Sequence, residues 1–73
     1  MMSKEIYIVR DPRGAFMQAL SDADKGDRII YHIGQFCGGN HKADAFAASD
    51  AGIALLFCRK TRDGVFAYMA VKR

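Results

Sequence analysis

Tryptophan is absent from this 73-residue chain, proline occurs once and cysteine twice. Two cysteines are too few for a disulfide framework, so Cys37 and Cys58 are expected as free thiols in a reducing compartment. No apolar stretch approaches the ~20 residues needed to span a bilayer, and the apolar run in Met1–Val9 is too short for a signal peptide. An intracellular, cytoplasmic protein without membrane attachment is therefore expected. Repeats, linkers and low-complexity segments are also missing. Gly38-Gly39-Asn40 lacks the following Lys-Ser/Thr of a nucleotide-binding loop, and no other catalytic signature is present.

About half the residues are apolar and a quarter are charged, as in ordinary globular proteins. One small domain, 1–73, is expected. A chain of this size buries only about 60% of the surface it exposes when unfolded, so a homodimer or another partner would add stability. The net charge of +3 is unevenly placed. Residues 1–28 are balanced, 29–52 carry one net negative charge, and 53–73 carry four net positive charges. Such localisation suits phosphate contacts. It equally suits a sheet edge kept charged against strand-to-strand aggregation.

Lys4–Arg10 reads as a strand, rich in β-branched and aromatic residues. Asp11-Pro12 then opens a helix, with Asp11 as cap and Pro12 at the first position, where no N–H is needed. Phe16, Leu20 and Ala23 recur at helical spacing, and Gly26 is expected to end the helix. Asp27–Ile33 is a second strand, and Gly34–Asn40 a loop. Asn40 or His41 would cap a second helix, Lys42–Ala51, with Ala43, Phe46 and Ala47 facing inward.

The last third is the most informative. Ile53–Arg59 and Val65–Lys72 are apolar runs flanking Arg59-Lys60-Thr61-Arg62-Asp63-Gly64, and Asp-Gly between such runs is a strong hairpin signal. A two-residue turn there sets Arg62 opposite Val65, Lys60 opposite Ala67 and Cys58 opposite Met69. One face then holds Leu56, Cys58, Val65, Ala67, Met69 and Val71, and the other Leu55, Phe57, Arg59, Phe66 and Tyr68. A one-residue slip exchanges the two faces.

Arg59, Lys60 and Arg62 are the leading nucleic-acid candidates, because a basic hairpin tip can straddle a phosphate backbone or enter a minor groove. Asn40 and Lys42 are the only base-reading side chains on the second helix, which is otherwise built of small residues. Phe57, Arg59, Phe66 and Tyr68 on one face would also allow base stacking. Cys37 and His41, with three residues between them, offer half of a zinc site, with His32 and Cys58 isolated on strands; paired ligand clusters are missing and no metal or cofactor is expected.

A helix that feeds into a basic-tipped hairpin is the outline of a winged helix. The segments Gly26–Gly34, Ala51–Lys60 and Gly64–Arg73 resemble small phage and prophage proteins of winged-helix type, over roughly the C-terminal two-thirds of the chain. The resemblance implies an α+β fold in the order β-α-β-α-β-β, with Lys42–Ala51 as helix and Arg59–Gly64 as wing. Gln35–His41 is too short and glycine-rich for the first helix of a helix-turn-helix pair, which normally braces the reading helix. The expected protein is a non-enzymatic nucleic-acid-binding or regulatory protein, with double-stranded DNA as partner. The alternative is a protein-interaction module that engages a host protein through the hairpin or, by strand addition, the open edge of the first strand.

Overall fold

A computed structural model describes residues 3–73; Met1 and Met2, which begin the apolar run noted above, lie outside the described residues. The elements are β1 (Glu5–Tyr7), α1 (Ala15–Asp22), β2 (Arg28–Gly34), α2 (Lys42–Asp50), β3 (Ala54–Arg62) and β4 (Val65–Lys72). They form a small α+β fold with a four-stranded mixed sheet ordered β1-β2-β4-β3. β1 runs parallel to β2, while β4 is antiparallel to both β2 and β3.

Both helices cover the same face of the sheet. Their core gathers Ile8, Phe16, Leu20, Ile29, Tyr31, Ala45, Ala48, Ala54 and Ala70. Phe16 and Tyr31 meet edge to face, with ring centroids 5.8 Å apart. Among the described residues the opposite face carries no helix. Its smaller cluster is Ile30, Ala67 and Met69, flanked by Val9 and Ile33.

The first helix begins later than the sequence suggests. Asp11 is not its cap: the Asp11 amide donates to the Ile8 carbonyl and Ala15 to Pro12, so Asp11-Pro12 belongs to a turn. Gly14 takes the cap position with φ 93°, a conformation that favours glycine. Nor does Gly26 end α1. The helix stops at Asp22, and Gly26 serves the turn into β2. That turn is fixed by Asp27, whose buried carboxylate accepts from the backbone amides of Lys4 (3.1 Å) and Asp24 (2.9 Å). One side chain thereby ties the starts of β1 and β2 together. These two hydrogen bonds, Asp24 first, hold its pKa below the ordinary carboxylate value, against the opposing effect of burial.

The inner face of α2 is also corrected. Ala45 and Ala48 are buried, whereas Ala43, Phe46 and Ala47 are exposed. An alanine-rich helix has little hydrophobic asymmetry, so its sequence periodicity does not choose a face. His41 helps choose it. Its ring is fully buried at the helix start and its Nε2–H donates to the Ile8 carbonyl at 3.0 Å, so the following i+4 and i+7 positions point inward. Alanine at both buried positions lets the helix backbone lie close to the sheet. Phe46 is displaced to the rim of an apolar groove of about 300 Å³ shared with Tyr31, Cys37, Leu56, Phe57, Cys58 and Tyr68.

Glycines in the Gly34–Asn40 loop make room for a ring. A Cβ on Gly39, at φ 84°, would lie 2.8 Å from His32 Nδ1, and one on Gly34 3.1 Å from Nε2. The loop wraps His32, which packs against Tyr68 at 5.8 Å.

Candidate nucleic-acid interface

The hairpin turn is Asp63-Gly64, as expected, with Gly64 at φ 71° and Arg62 opposite Val65. Beyond that first pair the register departs from a simple two-residue hairpin. A bulge leaves Thr61 without a partner; its hydroxyl donates to the Val65 carbonyl at 3.1 Å. Lys60 consequently faces Phe66, Cys58 faces Tyr68 and Phe57 faces Met69. This single extra residue exchanges the β3 side chains relative to β4. Ala54, Leu56 and Cys58 join Phe66, Tyr68 and Ala70 on the helix side, while Leu55, Phe57 and Arg59 join Ala67, Met69 and Val71 on the bare side.

The expected aromatic face is therefore divided: Phe66 and Tyr68 lie toward the helices, and Phe57 and Arg59 lie opposite. Cys58 is exposed. A second bulge at Tyr31, between Ile30 and His32, turns both Tyr31 and His32 toward the helices. Burial, then the contact with Cys37 Sγ at 3.8 Å, pushes the Tyr31 phenol well above its ordinary pKa. Burial also raises that of Tyr68.

The three hairpin cations sit on β3 itself, because the strand runs on to Arg62. Arg59 lies on the bare face, where its Nη1 meets Glu5 Oε2 at 3.5 Å. Lys60 is on the other side, 3.8 Å from Asp63. Arg62 follows the bulge and, among the described residues, has no carboxylate within ion-pair distance. Asn40 and Lys42 flank the start of α2, where Lys42 Nζ stands 5.5 Å from the Phe46 ring. Among the described residues no hydrogen bond or ion pair joins these two to the hairpin cations. Lys72 is occupied: its ammonium donates to the Ala23 carbonyl at 2.8 Å, just past the C-terminal end of α1.

The bare face is an orderly grid, and the sequence alone did not reveal it. One row across all four strands is Tyr7, Ile30, Met69, Phe57; the next is Glu5, Arg28, Val71, Leu55. Ile30 and Met69 are buried, while Tyr7 and Phe57 at the two ends are 58% and 52% exposed. Arg28 Nη2 reaches Glu5 Oε2 at 3.2 Å, and Arg59 approaches the same oxygen. Glu5 and Arg59 stand on the two outermost strands, so their contact requires a strongly coiled sheet with this face concave. Coiling explains how Ile30, Ala67 and Met69 stay dry with no helix above them. The alternation Glu5-Ile6-Tyr7 was legible; its neighbours depended on the parallel pairing of β1 with β2.

The possible metal ligands do not converge. Among the described residues no three His, Cys, Asp or Glu side chains are grouped to hold an ion. His41 is consumed by the Ile8 carbonyl, while Cys37 and Cys58 line the groove under Phe46. No helix among the described residues is long and apolar enough to cross a membrane. No protein-family model matches the chain, and no curated protein or solved structure matches it significantly.

Proposed function

We propose that the protein is a small non-enzymatic nucleic-acid-binding or regulatory protein of winged-helix-like build and phage origin, binding through the basic end of the β3–β4 hairpin. The observation that carries this reading is the placement of Arg59, Lys60 and Arg62 on the last four residues of an edge strand, with Arg62 exposed and free of an acidic partner among the described residues. Cations spread over both faces of a strand end suit phosphates better than base edges, so binding is electrostatic and falls steeply with salt. Lys42 and Asn40 assist from α2. A helix leading into a hairpin supports the winged-helix comparison; the absence of a bracing helix between β2 and α2 argues against deep insertion of α2 into a groove.

A salt titration tests it, using a short DNA duplex and one of its single strands. Measurable affinity at low salt, with a slope reduced by Arg59→Ala plus Arg62→Ala, is expected. No binding to either at low salt, or a slope indifferent to both changes, sinks the proposal.

A second reading is favoured by the β3 edge. The Arg73 amide donates to the Ile53 carbonyl at 3.1 Å. Antiparallel alternation then directs the N–H and C=O of Ala54, Leu56, Cys58 and Lys60 away from β4, off the sheet. With Leu55 and Phe57 exposed beside them, this edge can accept a strand from a host protein. β1, three residues long, is a poorer template. A partner captured from host lysate and lost with Cys58→Pro, which blocks an outward amide, would support this; no reproducible partner counts against it.

A further inference from the structure

We propose that the concave, helix-free face of the sheet is a stacking platform that selects single-stranded nucleic acid over duplex. This rests on the reading above that the protein binds nucleic acid, and it names the form and the surface. Tyr7 and Phe57 occupy opposite ends of one cross-strand row, each more than half exposed, with the buried Ile30 and Met69 as an apolar floor between them. Three strand spacings, roughly 14 Å on a flat sheet and less on a coiled one, separate the two rings. That span accommodates two or three unpaired bases, with the outer ones stacked on the aromatic faces. A duplex keeps its base faces stacked on one another and cannot offer them.

Charge complementarity points the same way. Arg28 borders the row on one side and Arg59 on the other, and both are accessible, with side chains 40% and 53% exposed. Their guanidinium groups converge on Glu5, so the face offers one cationic cluster beside its two aromatic rings, suited to the phosphates of a strand whose bases stack there. Glu5 is the opposing element. Its Oε2 holds Arg28 at 3.2 Å and Arg59 at 3.5 Å, neutralising half of that charge and drawing the Arg59 side chain across the concavity. Incoming phosphates compete with the Glu5 carboxylate for both guanidinium groups. Glu5 acts as a clasp whose release accompanies binding.

Fluorescence anisotropy with labelled oligo-dT, oligo-U and a DNA duplex of equal length, in low salt, tests this on the full chain. Single strands are expected to bind at least tenfold more tightly than duplex. Tyr7→Ala and Phe57→Ala should each weaken them roughly 5- to 150-fold, the usual effect of removing one stacking ring. Phe57→Tyr, which keeps a π face, should bind as the parent does, whereas Phe57→Leu should resemble Phe57→Ala. Glu5→Gln should tighten single-strand binding. Oligo-dT and oligo-U separate DNA from RNA as the source. If duplex binds as well as single strands and the ring variants, folded by circular dichroism, bind unchanged, the platform is wrong while hairpin binding stands. If neither form binds, nucleic-acid binding itself fails. A protein partner competing for Tyr7 and Phe57 in the absence of any oligonucleotide binding would assign this face to protein instead.

Discussion

Phe16→Ala is the sharpest probe of how this small core holds together. Phe16 is fully buried, stacked edge-on against Tyr31 at 5.8 Å, and surrounded by a cluster in which four of the nine buried members are alanine. Truncating a buried phenylalanine costs about 3–5 kcal/mol, depending on how far the neighbours collapse into the hole. Here Ala45, Ala48, Ala54 and Ala70 have no rotamers with which to fill it, and α2 is held at its position by His41 on the Ile8 carbonyl. The upper end of that range is expected, and it includes loss of the aromatic pair, about 0.5–1.5 kcal/mol. At about 0.05–0.15 kcal/mol per residue, a domain this size has roughly 4–11 kcal/mol in total. Phe16→Ala therefore removes roughly half to all of the stability at 25 °C. Phe16→Leu, which keeps most of the volume, should retain a cooperative transition. Urea unfolding followed by far-ultraviolet circular dichroism measures both, since there is no tryptophan to follow. A Phe16→Ala variant that loses less than about 2 kcal/mol with an unchanged urea slope would refute the picture of a rigid, alanine-walled core.

Other outcomes follow from particular contacts. The Asp27 pKa is lowered in the folded state, so its contribution to stability is present above the ordinary carboxylate pKa and disappears as pH falls through the depressed one. Urea midpoints between pH 2 and 6 should fall less steeply for Asp27→Asn than for the parent, and identical slopes would dismiss the two amide bonds as the cause. Tyr31 and Tyr68 have raised folded pKa values, so stability is intact below the ordinary phenol pKa near 10 and is lost as pH climbs above it. Tyr31→Phe should flatten that alkaline loss, read from thermal melts at pH 9 to 11. Gly14→Ala meets only the strain of a positive φ, about 1–2 kcal/mol, because nothing lies within 4 Å of the added methyl. Gly39→Ala adds a clash with His32 and should cost about 1–3 kcal/mol more; equal costs in urea would show that His32 moves aside freely.

The sequence by itself determined the order of elements, though not where the first helix begins and ends. Strand character in Glu5–Tyr7 and Arg28–Ile33, the helical spacing of Phe16, Leu20 and Ala23, and the Asp63-Gly64 turn are local properties, and each is written in neighbouring residues. Which side of each element turns inward is a different matter. Thr61 shifts the hairpin by one residue, and side chains alternate along a strand, so one bulge moves Phe57 and Arg59 away from Phe66 and Tyr68. The α2 face was equally hidden, because alanines surround that helix and a histidine bond to a residue 33 positions earlier helps orient it. Arg59 was legible as a cation but not as a partner of Glu5, which is 54 residues away in the chain. The row from Tyr7 to Phe57 joins four strands, two of them at opposite edges of the sheet. Only tertiary structure decides such a surface, because pairing and coiling bring together residues that no local spacing relates.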